Sequence, residues 1–541
     1  MTLPAGCAGL GGSPTSHDQT VSGSSRRRVV VVGGGHNGLV AACYLGLAGH
    51  PVLVLEALER PGGGSRTEET VPGHRFDLHS VAHNLINMTS IPTDLRLGEA
   101  GLTYLEMDPF AVGVFADGRR VRFHRSVAAT LESIAEVSLE DVAPYRDFVK
   151  LGDRVLKAIL PSIRGTRALP ALASLLGTGR QLGRVGIQEL ARDTLGSYED
   201  LLHRRLFSDL TRGPLAAFAA HGSVGPTVAG GALFAFWQAA YHRFGQWHAQ
   251  GGSQGLIDAL TSRLAQLGGE LRCSAPVDRI EAANGAVTGL VLEDGARIPT
   301  ELVVAAVDPQ LALLGLLNPP LGGAAGRELA SVHRSNVVQG VVHVAVDRLP
   351  PYPNAKLGDW NGLQSFVDHL DDLRAAWYQA EMGELPRPLP LYAFTTSALD
   401  SGLAPEGRHT VYLACPTTPF EVRGGWAARR EEFVDAALSE LAARAPGLRA
   451  GISRVSFRTP EEMALGGRWP GGHPMHLDLT LDQLGPMRPT PTLSSHRSGI
   501  RGLYVCGAGT KPSGGILGTP GRLAARALLQ DLRSSRGSAH A

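Results

Sequence analysis

A short series of apolar runs separated by glycine turns stands near the start of the chain. Val29–Val32 is a β-branched run of the kind typical of a buried parallel strand. A glycine turn follows, then a helical pattern over 39–48 that ends at Gly49, and then a second apolar run, Val52–Leu55. The pattern predicts a strand, a helix and a second strand, as at the beginning of an α/β domain.

The same patterns predict elements along the rest of the chain. Elements are expected at the following positions: an amphipathic helix at Leu256–Leu267, strands at Val287–Leu292 and Leu302–Val307, and a strand from Leu503 followed by a helix through Leu529. A second group comprises a β-hairpin at Phe110–Phe115 and Val121–His124, mostly helix over 127–240, strands at Ser335–Val346, Leu389–Thr396 and Thr410–Cys415, and a helix at Arg429–Arg444. Both groups therefore contain strands as well as helices.

Length and charge narrow the classes of protein that fit. The chain has 541 residues, and at about 100–200 residues per domain this suggests two or more domains. It carries 51 Lys and Arg against 50 Asp and Glu, so it lacks the basic excess expected of a nucleic-acid-binding protein. No run reaches 18 uninterrupted apolar residues, so no membrane-spanning helix is expected.

The five cysteines are scattered and include no CxxC pair. A disulfide framework or a zinc site is therefore not expected, and a cytoplasmic location fits this cysteine usage. Flavin disulfide reductases carry a redox cysteine pair after the first nucleotide fold, and Cys43 has no such partner in the sequence. Residues 1–26, which are rich in Gly, Ser and Thr, and residues 534–541 are predicted to be tails.

The glycine turn after the first strand has the spacing of a dinucleotide site. The sequence Gly33-Gly34-Gly35-His36-Asn37-Gly38 is G-x-G-x-x-G, and Glu56 ends the next strand. The first glycine permits the tight turn, the second lets the backbone approach a pyrophosphate, and the third lets helix and strand pack closely. The helix N-terminus favours phosphate charge, and Glu56 is placed to accept from a ribose hydroxyl. The motif alone does not choose between FAD and NAD.

Three further blocks carry a resemblance to a known family. The first is the loop Arg60–Thr67, which contains Gly63, Gly64 and Arg66; the second runs from Gly251 to Ile280; the third is Leu503–Arg522. Together they resemble the phytoene-dehydrogenase-like, or carotenoid-desaturase-like, FAD oxidoreductases of the amine oxidase and GDI-type flavoprotein superfamily, over about residues 27–533. The resemblance implies FAD as the cofactor.

The resemblance also implies roles for individual residues. In this family the glycine-arginine loop lies along the pyrophosphate and ribityl chain, a valine backbone contacts the adenine, and the last block lies beside the flavin. Transferred to this sequence, and added to the first motif, these roles give the predicted cofactor-binding residues: Gly33, Gly35, His36, Asn37, Gly38, Glu56, Gly63, Gly64, Arg66, Val277, Gly507, Gly515 and Ile516.

The fold that the resemblance implies is α/β with a discontinuous FAD domain. The Rossmann-type FAD-binding domain is expected from residues 27–102, 241–320 and 456–533. Residues 103–240 and 321–455 are expected to form an α+β substrate domain with a mixed sheet and a helical cap.

Catalytic residues are not identified by the sequence, which offers only candidates. Lys511 stands where many relatives have His, and a lysine beside a flavin can stabilise an anionic reduced ring. His248 and His473 lie in blocks that approach the flavin in relatives, and a lining or structural role competes with a catalytic one for each. His74, His79 and His83 lack the carboxylate-rich frame of a metal site, so no metal is expected.

The activity that the resemblance implies is hydride transfer between flavin N5 and a carbon of a lipophilic or polyene-like substrate. Desaturation in a biosynthetic pathway is favoured, with oxygen or a quinone as electron acceptor. One alternative is an NAD(P)H-driven reductive cyclase of a polyene tetramate macrolactam, with transient nicotinamide binding. A remote alternative is a non-catalytic GDI or escort-like lipid-binding protein. The basic, partly apolar segment 154–188 favours peripheral membrane contact or a cap, and the oligomeric state stays open.

Overall fold

The computed structural model describes residues 27–166, 183–222 and 224–538. The predicted tail over 1–26 and residues 167–182 of the basic stretch 154–188 lie outside the described residues. The last helix runs from Thr519 to Ser538 and so extends into the predicted second tail over 534–541. Before that tail, Asp531 ties the helix to the strand Leu503–Val505 through an ion pair with Arg497, at 2.7 Å, and a hydrogen bond from the Tyr504 hydroxyl, at 2.9 Å.

A five-stranded parallel sheet assembles three separated parts of the chain, as predicted. Its strands lie in the order Leu503–Val505, Val303–Ala305, Val29–Val32, Val52–Leu55 and Glu270–Arg272. A second sheet beside it has the order Arg297–Pro299, Ala286–Leu292, Val277–Ala283 and Leu317–Asn318. In the five-stranded sheet the first four strands are buried and only the edge strand Glu270–Arg272 is exposed, as expected of a sheet covered on both faces.

A seven-stranded mixed sheet forms the centre of the second domain. Its strands lie in the order Ile452–Arg458, Val337–Val346, His409–Pro419, Tyr392–Phe394, Leu363–Ser365, Ala111–Val114 and Arg120–Phe123. The last two strands form the predicted hairpin. The predicted domain boundary between 455 and 456 falls inside the strand Ile452–Arg458. This strand pairs with the substrate sheet as far as Arg458, because Val341 lies opposite that residue.

Two short ribbons complete the strands. They pair Thr67–Val71 with His74–Asp77, and Tyr104–Glu106 with Trp247–Ala249. The second ribbon joins the two domains, since Tyr104–Glu106 precedes the helical region 127–240 in the sequence and Trp247–Ala249 follows it.

The α-helices cover the FAD-side sheet and cap the substrate domain. Their bounds are His36–Leu47, Asn84–Asn87, Ile91–Asp94, Val127–Ala135, Val142–Ile163, 183–195, Tyr198–Arg205, Asp209–Ala220, Ala232–Ala235, Gln238–Phe244, Gln254–Gln266, Gly323–Ala330, Leu370–Glu381, Trp426–Arg444, Pro460–Gly467 and Thr519–Ser538. The described part of 127–240 is mostly helical, as predicted. The predicted boundary between 240 and 241 cuts the helix Gln238–Phe244. Within the described ranges, no helix is both long and apolar enough to span a bilayer.

Candidate active site and cofactor cavity

One large cavity of about 1150 Å³ lies where the two domains meet. A drug-sized ligand occupies a site of roughly 300–1,000 Å³, so this cavity has room for a ligand of dinucleotide size and more. All three chain segments of the FAD domain contribute to its wall, and so do cap helices and the strand Val337–Val346 of the substrate domain.

The first glycine turn forms one end of the cavity. Gly33 has φ +103°, a conformation that a side chain rarely adopts, and a Cβ placed on Gly35 would meet no atom within 4 Å. A Cβ on Gly38 would instead lie 2.1 Å from the carbonyl oxygen of Gly33. The turn therefore leaves its backbone open to a ligand at the helix N-terminus and packs tightly behind it.

Glu56 is held beside this turn by backbone donors. Its Oε2 accepts from the amide of Gly34 at 2.7 Å, and its Oε1 accepts from the amide of Leu58 at 3.0 Å. The carboxylate is buried and lines the cavity together with Val277. Since each oxygen of an ionised carboxylate has a second lone pair, Glu56 keeps the capacity to accept from a ribose hydroxyl.

Most of the predicted cofactor-binding residues line this one cavity: Gly33, Gly35, His36, Asn37, Glu56, Gly63, Gly64, Val277, Gly515 and Ile516. Three lie behind the wall. Gly38 packs against the turn, Arg66 donates from Nε to the carbonyl of Gly63 at 3.2 Å, and a Cβ on Gly507 would lie 2.1 Å from the carbonyl oxygen of Val307. These three support the shape of the site from outside it.

Buried polar atoms in the wall fit a polar cofactor. Asn37 Oδ1, both ring nitrogens of His79 and Nδ1 of His476 are buried and have no hydrogen-bond partner among the described residues. All three residues line the cavity. A buried polar atom without a partner costs about 1–3 kcal/mol, so such atoms indicate a ligand with hydrogen-bonding groups. The residues present therefore fit FAD.

The three candidate catalytic residues do not line the cavity. Lys511 is half-buried and lies next to Pro512, which does line it. His248 is fully buried, with Nδ1 at 3.2 Å from the carbonyl oxygen of Val81 and Nε2 at 3.5 Å from Asp400. Burial opposes its charged form, but Asp400 and Asp77 outweigh burial and raise the pKa of His248.

His473 lies just outside the cavity wall. Its Nε2 is 3.3 Å from Asp478 Oδ1, and its Nδ1 accepts from the amide of Met475. The lining histidine of this block is His476, which the sequence argument did not single out. Burial lowers the pKa of His476 to about 4, so this ring is neutral at pH 7.

The cavity has an apolar end, which consists of side chains from the cap helices: Ile159, Ile163, Phe218, Leu233, Phe234, Trp237 and Tyr241. The carboxylates in the described wall are already engaged elsewhere. Asp308 pairs with Arg334 at 2.6 Å, Glu293 pairs with Arg468 at 2.8 Å, and Glu56 is bound by amides. This end can hold an uncharged, greasy molecule.

His221 and Gln339 are polar residues beside the apolar end that the sequence analysis missed. His221 directly follows the helix Asp209–Ala220, three residues after Phe218 and one before Gly222, which also line the cavity. This i, i+3, i+4 spacing is the signal that would have placed His221 on the same face as Phe218.

A buried arginine holds the wall beside the last block. Arg488 is fully buried and donates to five backbone carbonyls, at 2.7–3.2 Å: those of Met475, Leu477, Asp478, Gln483 and Ala508. Met475 and Ala508 line the cavity. Burial lowers the pKa of Arg488 to about 9, and the guanidinium stays protonated at neutral pH.

Comparison with known proteins gives a family and a fold. Residues 38–529 match the flavin containing amine oxidoreductase family. The chain is 30% identical to the mouse pyridine nucleotide-disulfide oxidoreductase domain-containing protein 2, over 92% of this chain and 93% of that protein. It is 26% identical to a neurosporene-forming phytoene desaturase of Rhodobacter capsulatus, over 89% of this chain and 90% of the relative.

Solved structures agree with the fold. An oxidoreductase from Methanosarcina mazei superposes with a TM-score of 0.60 at 17% identity, over 93% of this chain and all of that one. Although the name of the mouse relative includes a disulfide oxidoreductase domain, the four described cysteines form no disulfide. Burial raises the pKa of Cys43 to about 12, which leaves its thiol unreactive.

Proposed function

The chain belongs to the flavin-containing amine oxidoreductase family, and from that premise we propose that it dehydrogenates a lipophilic, uncharged substrate. It is an FAD-dependent oxidoreductase, as the family and the phytoene desaturase relatives indicate. What the proposal adds is the class of substrate and the direction, carbon–carbon desaturation. The electron acceptor proposed with it is oxygen or a quinone.

In this proposal one part of the cavity binds the cofactor and the apolar end binds the substrate. When bound, FAD supplies a two-electron acceptor for hydride. The turn from Gly33 to Gly38, with the helix N-terminus behind it, holds the pyrophosphate, and Glu56 accepts from the ribose. Gly515 and Ile516 also line the cofactor site, where the Gly515 carbonyl lies beside His36 of the first turn. The cap helices close over the substrate and exclude water from it.

The apolar end is the observation that supports a lipophilic substrate. It presents two phenylalanines, a tryptophan and a tyrosine, and Trp237 uses its only donor on Asn84 Oδ1, at 3.0 Å. Aromatic and aliphatic walls stabilise a hydrocarbon by about 25 cal/mol for each Å² of apolar surface buried. Such walls offer a cation only cation–π contacts, which do not repay the loss of its water.

An amine substrate is the family's other expectation, and the described wall does not favour it. A substrate ammonium needs a carboxylate or a carbonyl array as partner once it leaves water. The carboxylates of the described wall are engaged by Arg334, Arg468 and backbone amides. An uncharged substrate therefore fits the described wall better than an amine.

Anaerobic bleaching of the flavin absorbance tests the proposal. Purified protein containing FAD is mixed with phytoene in detergent, with benzylamine, and with NADPH, each in a separate experiment. Phytoene or a shorter neutral isoprenoid such as squalene is expected to bleach the flavin, and benzylamine is not. Bleaching by benzylamine alone would contradict the proposal, and rapid bleaching by NADPH alone would favour the reductive direction.

A matched pair of variants links the result to the apolar end. Phe234→Asp places a carboxylate in its wall, whereas Phe207→Asp places one on the surface, where Phe207 is 62% exposed. The first substitution is expected to abolish bleaching by phytoene while FAD stays bound. The second is expected to leave bleaching unchanged. Equal rates in both variants would show that phytoene is not bound at this end.

A further inference from the structure

His221 stands at the cavity wall with one ring nitrogen fixed and the other free. Its Nδ1 lies 2.6 Å from the hydroxyl oxygen of Tyr392, a fully buried residue of the substrate sheet. Its Nε2 has no hydrogen-bond partner among the described residues, and His221 lines the cavity beside Phe218 and Gly222. Whether Nδ1 carries the proton of the neutral ring therefore decides whether Nε2 can accept a proton.

A chain of hydrogen bonds determines that state. The Tyr412 hydroxyl lies 3.0 Å from the carbonyl oxygen of His79, which can only accept, so Tyr412 donates there. The Tyr412 oxygen must then accept from Nε2 of Gln339, at 2.6 Å, which turns Oε1 of Gln339 toward Tyr392. Tyr392 donates its single proton to that oxygen.

The last link fixes the tautomer of His221. Because Tyr392 has already used its proton, its oxygen accepts from Nδ1–H of His221. In a neutral imidazole that carries the proton on Nδ1, Nε2 has a lone pair and acts as a proton acceptor. The backbone carbonyl of His79 thus sets, through two tyrosines and an amide, the protonation of a ring nitrogen at the cavity.

The surroundings keep this ring neutral. Burial lowers the pKa of His221 to about 4. The titratable groups around its partner Tyr392 are Tyr241, Tyr412 and Cys415, and burial raises the pKa of each of them. At neutral pH none of these groups carries a charge, so Nε2 is unprotonated before substrate binds.

We propose that His221 Nε2 accepts the proton that the substrate loses during dehydrogenation. The inference rests on the proposed function. Formation of a C=C bond breaks two C–H bonds on adjacent carbons: one hydrogen leaves with its electron pair as hydride to oxidised flavin, and the other leaves as a proton to Nε2. The two electrons pass on to oxygen or a quinone, and the proton returns to solvent when product leaves.

Tyr392 is a positioning residue in this scheme. It does not line the cavity, but its oxygen stabilises the Nδ1–H of the imidazolium that forms when Nε2 takes the proton. Gln339 and Tyr412 orient Tyr392 in turn, and they come from neighbouring strands, Val337–Val346 and His409–Pro419. The sheet therefore supports the base rigidly.

Three variants test the inference. His221→Gln can still donate to Tyr392 but cannot accept a proton, Tyr392→Phe removes the relay, and His203→Gln changes an exposed histidine away from the cavity as a control. Each variant is first checked for wild-type flavin absorbance. Nitrogen-15 NMR of labelled histidine, compared between the wild type and His221→Gln, then assigns the His221 ring. It is expected to carry its proton on Nδ1 and to remain neutral down to about pH 4.

The rate of anaerobic flavin bleaching by saturating phytoene or squalene measures the role of the base. Removal of a general base typically costs about 10²–10⁴-fold, so this loss is expected for His221→Gln with little change in the half-saturating concentration. Tyr392→Phe is expected to lose less and to show mixed tautomers at His221. His203→Gln is expected to match the wild type.

Each failure has its own signature. Wild-type bleaching rates in His221→Gln, or a wild-type ring protonated on Nε2, would overturn the role of His221 while the proposed function stands. If neither hydrocarbon bleaches the wild-type flavin, the proposed function fails and the role of His221 fails with it. A wild-type ring with Nδ1–H would in that case still establish the hydrogen-bond chain.

Discussion

His36 Nε2 lies 3.1 Å from the carbonyl oxygen of Gly515, although the two residues are 479 positions apart. A carbonyl only accepts, so His36 carries its proton on Nε2 and donates it. Burial lowers the pKa of His36 to about 4, which keeps this neutral form at pH 7. The bond joins the first glycine turn directly to the last block at the wall of the cofactor cavity, so the two parts of the site hold each other in place.

Removal of this bond is expected to weaken FAD binding. A buried neutral hydrogen bond contributes about 0.5–1.5 kcal/mol, and His36→Ala is therefore expected to raise the dissociation constant of FAD by roughly 3–10-fold. Fluorescence titration of the apoprotein with FAD measures this change. His36→Gln keeps a donor and is expected to recover part of the loss, whereas an equal loss in both variants would show that the ring itself, and not its bond to Gly515, matters.

The third glycine of the first motif is expected to reject even a methyl group. Alanine in a helix normally gains about 0.5–1 kcal/mol over glycine, but a Cβ at Gly38 would lie 2.1 Å from the Gly33 carbonyl oxygen. Overpacking of this kind costs about 1–3 kcal/mol or more, so the clash wins. Gly38→Ala is expected to purify with little FAD and a lowered melting temperature.

Gly98→Ala is the matched control, because a Cβ at this exposed position would meet no atom within 4 Å. It is expected to retain FAD and the wild-type melting temperature. Full flavin content in Gly38→Ala would mean that the helix shifts to admit the methyl group.

No other side chain, not even lysine, is expected to replace Arg488. A lysine carries the charge but has three donors on one atom, and it cannot reach the five carbonyls that Arg488 serves. Leaving buried carbonyls without donors costs about 1–3 kcal/mol each. Arg488→Lys is expected to lower the free energy of unfolding by at least about 3 kcal/mol, measured by urea denaturation.

The exposed Arg501 provides the comparison for Arg488. Arg501→Lys is expected to leave the urea midpoint unchanged within error. A similarly small change for Arg488→Lys would show that water replaces the guanidinium at these carbonyls.

The sequence predicted the parts of the site that depend on local pattern. The roles of Gly33, Gly38 and Glu56 follow from the order of strand, turn, helix and acid, because these residues are neighbours in one folding unit. The strand Ile452–Arg458 was harder to place, because it lies at the edge of its sheet and only Phe457 is buried, so its hydrophobic pattern is weak.

The part of the cavity wall around His221 could not be predicted from the sequence, and the reason is different. Tyr392 is 171 positions from His221 and 53 from Gln339, and only strand pairing and helix packing bring the three together. Conversely, Lys511 belongs to the last block, Leu503–Arg522, and yet does not line the cavity. Peripheral membrane contact through 154–188 and transient nicotinamide binding stay predictions.

The protein is expected to lose stability as the pH falls from about 6.5 toward 4. Burial lowers the pKa of seven histidines to about 3 or 4: His36, His79, His83, His221, His343, His476 and His496. In this window the unfolded chain binds more protons than the folded chain, so the free energy of unfolding rises with pH. His248 acts in the opposite sense, because its raised pKa stabilises the fold below 6.5 and that contribution is lost as the pH rises.

Seven histidines outweigh one, and each contributes up to about 1.4 kcal/mol per pH unit. Urea denaturation of the FAD-bound protein at pH 7, 6 and 5 measures the slope. His343→Gln is expected to reduce it, because burial lowers the pKa of His343 to about 3. The neutral ring donates from Nε2 to the Asp77 carbonyl, at 3.1 Å, and accepts from Thr70 at Nδ1, at 2.9 Å. His203→Gln, at an exposed position, is expected to leave the slope unchanged. If the free energy of unfolding stays constant or increases as the pH is lowered from 6.5 to 5, these rings are protonated inside the folded protein.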